Sequence, residues 1–427
     1  MKKWIALFLS LIMLMGCMSF SLAEEDVSGE LTIWLWDNEA AAQAVVDAYG
    51  AKYPNVKIST NVVPFMDYQT KLFTALAGGD TADVFFMREG QVYQTYVQKG
   101  LCLQLDDLIA STGLDTSPFA NYLPQCTVNG GIYELPYRGG GHHLYYNKKM
   151  FDEAGIPYPD MHKSYTWAEL REVCKQLTKG EGAEKDYGIY MMGFPWMILF
   201  QAMQRGVKIV DDDLNVDLDC QEVRDALQWY YDTCVVDQSQ LTPAEATAIN
   251  AATTATFVAG HTAMIIGGDY MGTNFQKNTD NGAIDFPWGM ARVPCDDDVE
   301  YSTQSVATCC AINSKAPNPE LAFHFLSFLV SEEGQNVVAK AGSKAAVTSD
   351  EIVATWRENV TCYTEEMADL YFEPVKVFSD PMNPAGPYAD TILREEFSLY
   401  LTENGQSLDE TITNCVQRLE DEIANLK

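Results

Sequence analysis

Between residues 31 and 87 the chain switches repeatedly between strand and helix signals, and that rhythm restricts the fold more than any other feature. Leu31-Thr32-Ile33-Trp34-Leu35-Trp36 is rich in β-branched and aromatic residues and stops at Asp37-Asn38, a turn or helix-capping pair. An Ala-rich helix over 39–52, a strand Val56–Val63, a helix Tyr68–Ala77, the Gly78-Gly79-Asp80 break and an apolar strand Asp83–Met87 follow. Strand, helix, strand, helix, strand is the pattern of a parallel sheet with crossover helices. Ligands of such sheets collect at the carboxyl ends of the strands, here Trp36-Asp37 and Met87-Arg88.

Beyond Tyr145 the order changes. Helical periodicity covers 147–155, 167–179, 221–235, 319–342, 392–401 and 408–426, with a short strand at 263–267, which suits a second α/β unit. A length of 427 residues also favours two or three domains. The stretch 373–388, with Pro374, Pro381, Pro384 and Pro387, reads as a long functional loop.

Charge removes several function classes. Lys and Arg total 28 against 60 Asp and Glu, a net −32, and such a surface repels phosphate backbones and anionic lipid headgroups. Nucleic acid is therefore excluded as a partner. Met1-Lys2-Lys3 followed by the apolar run Trp4–Met15 reads as a secretory signal, placing the protein outside the cell or at its surface. Ser21-Leu22-Ala23 has the small residues that signal peptidase uses, so residues 1–23 are assigned as signal peptide. Leu14-Met15-Gly16-Cys17 resembles a lipobox and leaves a lipid anchor at Cys17 as the alternative. The later cysteines have no framework spacing and read mostly as buried small hydrophobes.

Motif by motif, the chemistry is that of binding. Asp211-x-Asp213-x-Asn215-x-Asp217-x-Asp219-x-x-Glu222 has the ligand spacing of a calcium loop, but Val216 stands where the turn glycine belongs, so a turn and strand are expected instead. Gly139-Gly140-Gly141-His142-His143 lacks the Lys-Ser/Thr of a phosphate cradle and reads as a flexible crossing between lobes, with at most one histidine lining a site. Neither a nucleophile elbow, a zincin helix nor a P-loop is present, so no catalytic residue, metal or cofactor is assigned. Aromatic residues beside polar ones at loop positions remain: Trp36-Asp37, Tyr137-Arg138, Trp196, Asp269-Tyr270, Trp288 and Tyr388. Sugars offer flat C–H faces edged by hydroxyls, which aromatic platforms rimmed by Asp, Asn or Arg complement.

Several blocks together resemble the extracellular solute-binding proteins of bacterial carbohydrate ABC transporters, of the maltose-binding-protein type. They are Lys71-Leu72-x-x-Ala75-Leu76-Ala77-Gly78-Gly79-Asp80-x-Ala82-Asp83-Val84, then Gly131-Ile132-Tyr133-x-Leu135-Pro136-Tyr137, then Leu144-Tyr145-Tyr146-Asn147-Lys148-x-x-Phe151 with Thr166-Trp167-x-Glu169-Leu170. Phe257-x-x-Gly260-x-x-Ala263-Met264 and Asn318-Pro319-Glu320-x-Ala322-x-x-Phe325 complete the series. The resemblance implies an α/β protein of periplasmic-binding-protein type II: two α/β lobes joined by hinge crossings, 28–139 plus 302–345 and 140–301 plus 346–427. It also implies a monomer that closes on a carbohydrate and presents it to permease subunits. Two departures from the family pattern stand out: Ala82 replaces the usual Pro before Asp83, and Asp269-Tyr270 replaces a Gly-Trp near the cleft. The expected ligand-binding set is Trp36, Asp37, Asp83 and Arg88 from the first lobe, with Arg138, Trp196, Asp269, Tyr270, Trp288 and Tyr388 from the crossings and second lobe. Asp37, Asp83 and Asp269 would accept from sugar hydroxyls, Arg88 or Arg138 would donate, and Trp36, Trp196 and Tyr270 would stack. A polyamine or glycerol phosphodiester as ligand, or a sensor role beside a membrane kinase, are the alternatives.

Overall fold

A computed structural model describes residues 27–426 apart from 38, 66, 88–89, 249–253, 269, 379–382 and 403. The signal segment, Cys17, Arg88 and Asp269 lie outside the described residues. Strands β1 (Gly29–Trp36), β2 (Val56–Val63) and β3 (Val84–Met87) pair in parallel in the order β3-β1-β2. Alternation drives this: Leu31, Ile33 and Leu35 are buried while Thr32 and Trp34 are half-buried. The intervening helix Ala40–Lys52 turns Ala41, Ala42, Val45, Val46 and Tyr49 inward at helical spacing.

A two-residue hairpin, β4 (Thr127–Val128) with β5 (Gly131–Ile132), precedes the strand β6 (Glu134–Gly141). Across His142 the chain continues as β7 (His143–Asn147), the centre of a second sheet with β8 (Met264–Gly267) and β9 (Trp288–Ala291) on either side, both antiparallel. Its two faces separate by residue parity: Leu144, Tyr146, Met264 and Ile266 face one core, and Tyr145, Ile265 and Met290 face the other. β10 (Ser302–Ile312) then returns to the first sheet, antiparallel to both β3 and β6, and β11 (Lys376–Phe378) pairs in parallel with its first residues. The molecule is thus a two-lobed α/β protein of the periplasmic-binding-protein kind, with β6–β7, β10 and β11 at the crossing.

Three expectations change. The helix 319–342 is two helices, Pro319–Val330 and Glu332–Lys340, because Ser331 is extended and its hydroxyl caps Gly334 N. Inside the 373–388 loop, β11 forms and a helix starts at Gly386. Gly139–Gly141 is not a slack linker but buried strand paired with β10. A Cβ on Gly139 would lie 2.9 Å from the Tyr122 ring, and one on Gly141 2.5 Å from Thr303 Cγ2, so glycine here serves close approach. Trp356 of the helix Asp350–Asn359 packs against Tyr363, Tyr371 and Phe372. Among the described residues no helix is long and apolar enough to cross a membrane.

Candidate functional site

At the carboxyl edge of the first sheet, Asp37 N–H donates to Val63 O (2.9 Å), and the Asp37 carboxylate accepts from Phe65 N–H (2.6 Å). That exchange ties the ends of β1 and β2 and leaves Phe65 41% exposed beside Asp37. Phe65 was not anticipated, although an aromatic just past a parallel strand is the kind of position that signals one. Trp36, in contrast, is 3% exposed and packs edge-on to Tyr68 at 5.3 Å, so it is core and not an open platform.

The helix that follows begins at Glu39, not at the Asp37-Asn38 pair, and the Glu39 side chain makes no cap hydrogen bond. Its carboxylate instead meets Arg138 from β6: Nε donates to Oε1 (3.2 Å) and Nη2 to Oε2 (3.1 Å), with both side chains 9% exposed. Arg138 Nε also reaches the Tyr137 hydroxyl at 3.2 Å. A bulge aims it there. In the β6–β10 ladder Thr308 pairs with Arg138 but Cys309 with Pro136, which leaves Tyr137 as the extra residue.

Four residues further along, roughly 13 Å of extended chain, His142 starts the second wall. Its Nδ1 lies 2.9 Å from Gln304 O, a group that only accepts, so Nδ1 carries the proton. The ring stands edge-on to Trp196 at 5.1 Å, and Trp196 stacks parallel to Phe194 at 6.1 Å. A Cβ on Gly268 would lie 3.2 Å from the His142 ring and 3.5 Å from the Tyr270 ring. Residue 268 therefore lets the two rings converge, and His142, Trp196, Phe194 and Tyr270 form one aromatic wall beside the crossing.

His143 points elsewhere, its ring 5.8 Å from Tyr371. Burial, then the charges of Lys344 and His142, pull its pKa down to about 3. Lys344 Nζ donates to Tyr371 O at 2.6 Å and sits 5.3 Å from that ring.

Other expected site residues lie apart. Asp83 sits at the amino end of β3, opposite the edge that holds Asp37, because β3 runs parallel to β1 with Val84 beside Ile33. There its Oδ2 accepts from Thr32 N (2.8 Å), and burial raises its carboxyl above the usual range. Trp288 begins β9 opposite Asn147, at the end of β7 remote from the crossing, and packs with Phe275 (4.6 Å) and Tyr363 (5.1 Å). Tyr388 is 39% exposed on the first turn of the helix Gly386–Tyr400. The calcium-like acids are committed locally: Asp211 accepts from Asp213 N, Asn215 N and Asn215 Nδ2, which lower its carboxyl, and Asp219 pairs with Arg224. A separate surface groove along Lys52, Tyr53, His324 and Glu333 opens on the helical flank of the first lobe, away from these walls.

Two clusters of aromatic and hydrogen-bonding side chains at the ends of the segment 138–142, beside the paired strands β6 and β10, are what a hinged solute-binding protein needs. Residues 36–336 match the family described as bacterial extracellular solute-binding protein, and the chain belongs to that family. It is 34% identical over 167 residues to a lactose-binding protein of Rhizobium radiobacter, covering 37% of this chain and 38% of the relative. An arabinooligosaccharide-binding protein of Halalkalibacterium halodurans is 27% identical over 243 residues, with 52% of this chain and 50% of the relative aligned. These alignments thus span half or less of either relative. Among solved structures, an ABC substrate-binding protein of Listeria monocytogenes in complex with cycloalternan superimposes with a TM-score of 0.80 at 20% identity, covering 93% of this chain and all of that one.

Proposed function

We propose that the protein is the extracellular carbohydrate-capturing subunit of an ABC importer, exported by the segment 1–23 or anchored at Cys17, monomeric and non-catalytic. What supports this is a pair of side-chain clusters joined by the short segment 138–142: Asp37, Phe65 and the Glu39–Arg138 pair at one end, and His142, Phe194, Trp196 and Tyr270 at the other. Rings stack on sugar faces, while Asp37 and the ion pair offer rim contacts to hydroxyls. A ligand touching both walls favours the closed arrangement, because only closure offers both sets of contacts, and the closed form is what a permease would recognise. The sugars named for the relatives support the same class. Tyr388, being exposed, completes the proposed set together with Asp269 and Arg88, which are proposed from the sequence alone.

Ion pairing argues against the other solutes. A phosphodiester needs a cluster of uncommitted guanidinium groups, yet of the arginines weighed for it the two among the described residues are paired, Arg138 with Glu39 and Arg292 with Glu373 at 2.7 Å. Polyamines need a carboxylate cage, and Glu39 is neutralised by Arg138 while Asp37 serves Phe65 N. Calorimetry of the purified chain against a panel of di- and oligosaccharides, with a polyamine and a glycerol phosphodiester alongside, tests the reading. A saccharide should bind, and Trp196→Ala or Tyr270→Ala should weaken it about tenfold, equivalent to about 1.4 kcal/mol. Heat from the polyamine or phosphodiester alone would overturn the proposal.

A further inference from the structure

We propose that Cys126, Cys309 and Glu134 form a binding site for a thiophilic divalent metal ion of the zinc class, inside the first lobe behind the bulge. Cys126 closes the turn Leu123–Cys126 just before β4, Glu134 opens β6, and Cys309 lies in the middle of β10. Sequence spacing gives no hint of the set, since 183 residues separate the two cysteines. In the fold their exposures are 0%, 1% and 2% for Cys126, Glu134 and Cys309, and one donor atom from each lies within 4.8 Å of the others.

Geometry and unmet valence point the same way. The two Sγ atoms are 3.7 Å apart. Two thiolates each about 2.3 Å from one tetrahedral zinc ion stand roughly 3.8 Å apart. Glu134 Oε2 is buried with no hydrogen-bond partner among the described residues. Burial raises the Glu134 carboxyl well above its usual range, and a side-chain hydrogen bond links it to Cys309, so without metal it stays neutral with Oε2 unsatisfied; a cation at that oxygen would both satisfy it and favour its ionised form. Two sulfurs and the two oxygens of one carboxylate supply the four donors zinc takes, and thiolate selects soft over hard cations. Metal entry displaces a proton from each thiol and one from the Glu134 carboxyl as the metal–sulfur and metal–oxygen bonds form, with no change of oxidation state. Tyr93 supports the arrangement from outside: its hydroxyl donates to Cys126 O at 2.8 Å and holds the turn that carries the sulfur. Because Cys309 is the residue at which the β6–β10 register shifts, a bound ion would clamp the bulge that aims Arg138 at Glu39.

The full chain, reduced and stripped with a chelator, is titrated with cadmium and followed by thiolate-to-metal charge-transfer absorption. Bound zinc is then counted by elemental analysis. One ion per chain is expected, with affinity about 100-fold weaker in Cys309→Ser and about tenfold weaker in Glu134→Gln. Cys220→Ser should bind as wild type does. Should Cys309→Ser fail to fold, protection of Cys126 and Cys309 from alkylation by zinc in the wild-type chain gives the same answer by peptide mapping. Substoichiometric metal without a charge-transfer band, or a Cys126–Cys309 disulfide peptide in protein never exposed to reductant, would overturn the site.

Discussion

His143 makes the crossing sensitive to acid in a direction that can be worked out. Its folded pKa is depressed from 6.5 to about 3, burial being the largest cause, followed by Lys344 and His142. Below about pH 6.5 the unfolded chain therefore takes up a proton that the folded chain refuses until about pH 3. Stability attributable to this residue falls as pH drops through that window and is unaffected above it. At pH 5 the difference in proton binding integrates to about 1.5 pH units, or about 2 kcal/mol. For 427 residues melting as one unit, at about 2.1 cal/mol/K each, that lowers Tm by about 2 °C relative to pH 7. Carboxylates also titrate in this range, so the informative quantity is a difference between proteins. His143→Phe keeps a ring against Tyr371 and removes the titration. Between pH 7 and 5 the wild type should lose about 2 kcal/mol more than the variant in urea unfolding. Parallel stability profiles for the two would refute the reasoning, because they would mean that the ring is protonated in the folded state or reaches water.

Removing one partner of the buried Glu39–Arg138 pair strands a charge, so Glu39→Ala should destabilise by about 3 kcal/mol, and Glu39→Met with Arg138→Met should recover much of it, read by denaturant unfolding. Gly141→Ala should cost about 1–3 kcal/mol through the collision with Thr303 Cγ2. Adding Thr303→Ser, which drops the methyl and keeps the hydroxyl that donates to His142 O at 2.8 Å, should restore most of it in the same assay. Calcium against chelator should leave Tm unchanged, in the wild type and in Asp213→Ala alike, because Asp211 already spends its oxygens on the turn. A rise of several degrees with calcium would contradict that.

Local patterns were legible where the physics is local. Alternation marks β1, and the Thr166–Glu169 capping box marks the helix Trp167–Leu177. What escaped was long-range pairing. Glu39 looks like an ordinary acid near a helix start until β6 brings Arg138, 99 residues on, against it. Trp36 beside Asp37 reads as a platform, yet the helix Tyr68–Ala77 covers it with Tyr68. Asp83 was a different kind of miss. A strand that begins at Asp83 and runs parallel to β1 must hold that residue at its amino end, so strand polarity alone argued against a cleft position. Gly139–Gly141 suggested slackness because glycine's permissiveness and its small size leave the same trace in a sequence, and only the partner strand distinguishes them.

The eleven residues of β10 run without interruption from the crossing, where Ser302 pairs with Lys376, to the heart of the first sheet, where Ile312 pairs with Val84. At about 3.4 Å per residue this is a rod of roughly 37 Å, braced by β6 along most of it. A rod of that length acts as a lever: tilting it by about 10° about one end displaces the other by roughly 6 Å. If the two clusters close on a ligand, the connection that must flex is a two-stranded ribbon with its own bending stiffness, not a loose tether. Substitutions that soften or stiffen that ribbon far from the cleft should alter how fast it shuts while leaving every ligand contact intact.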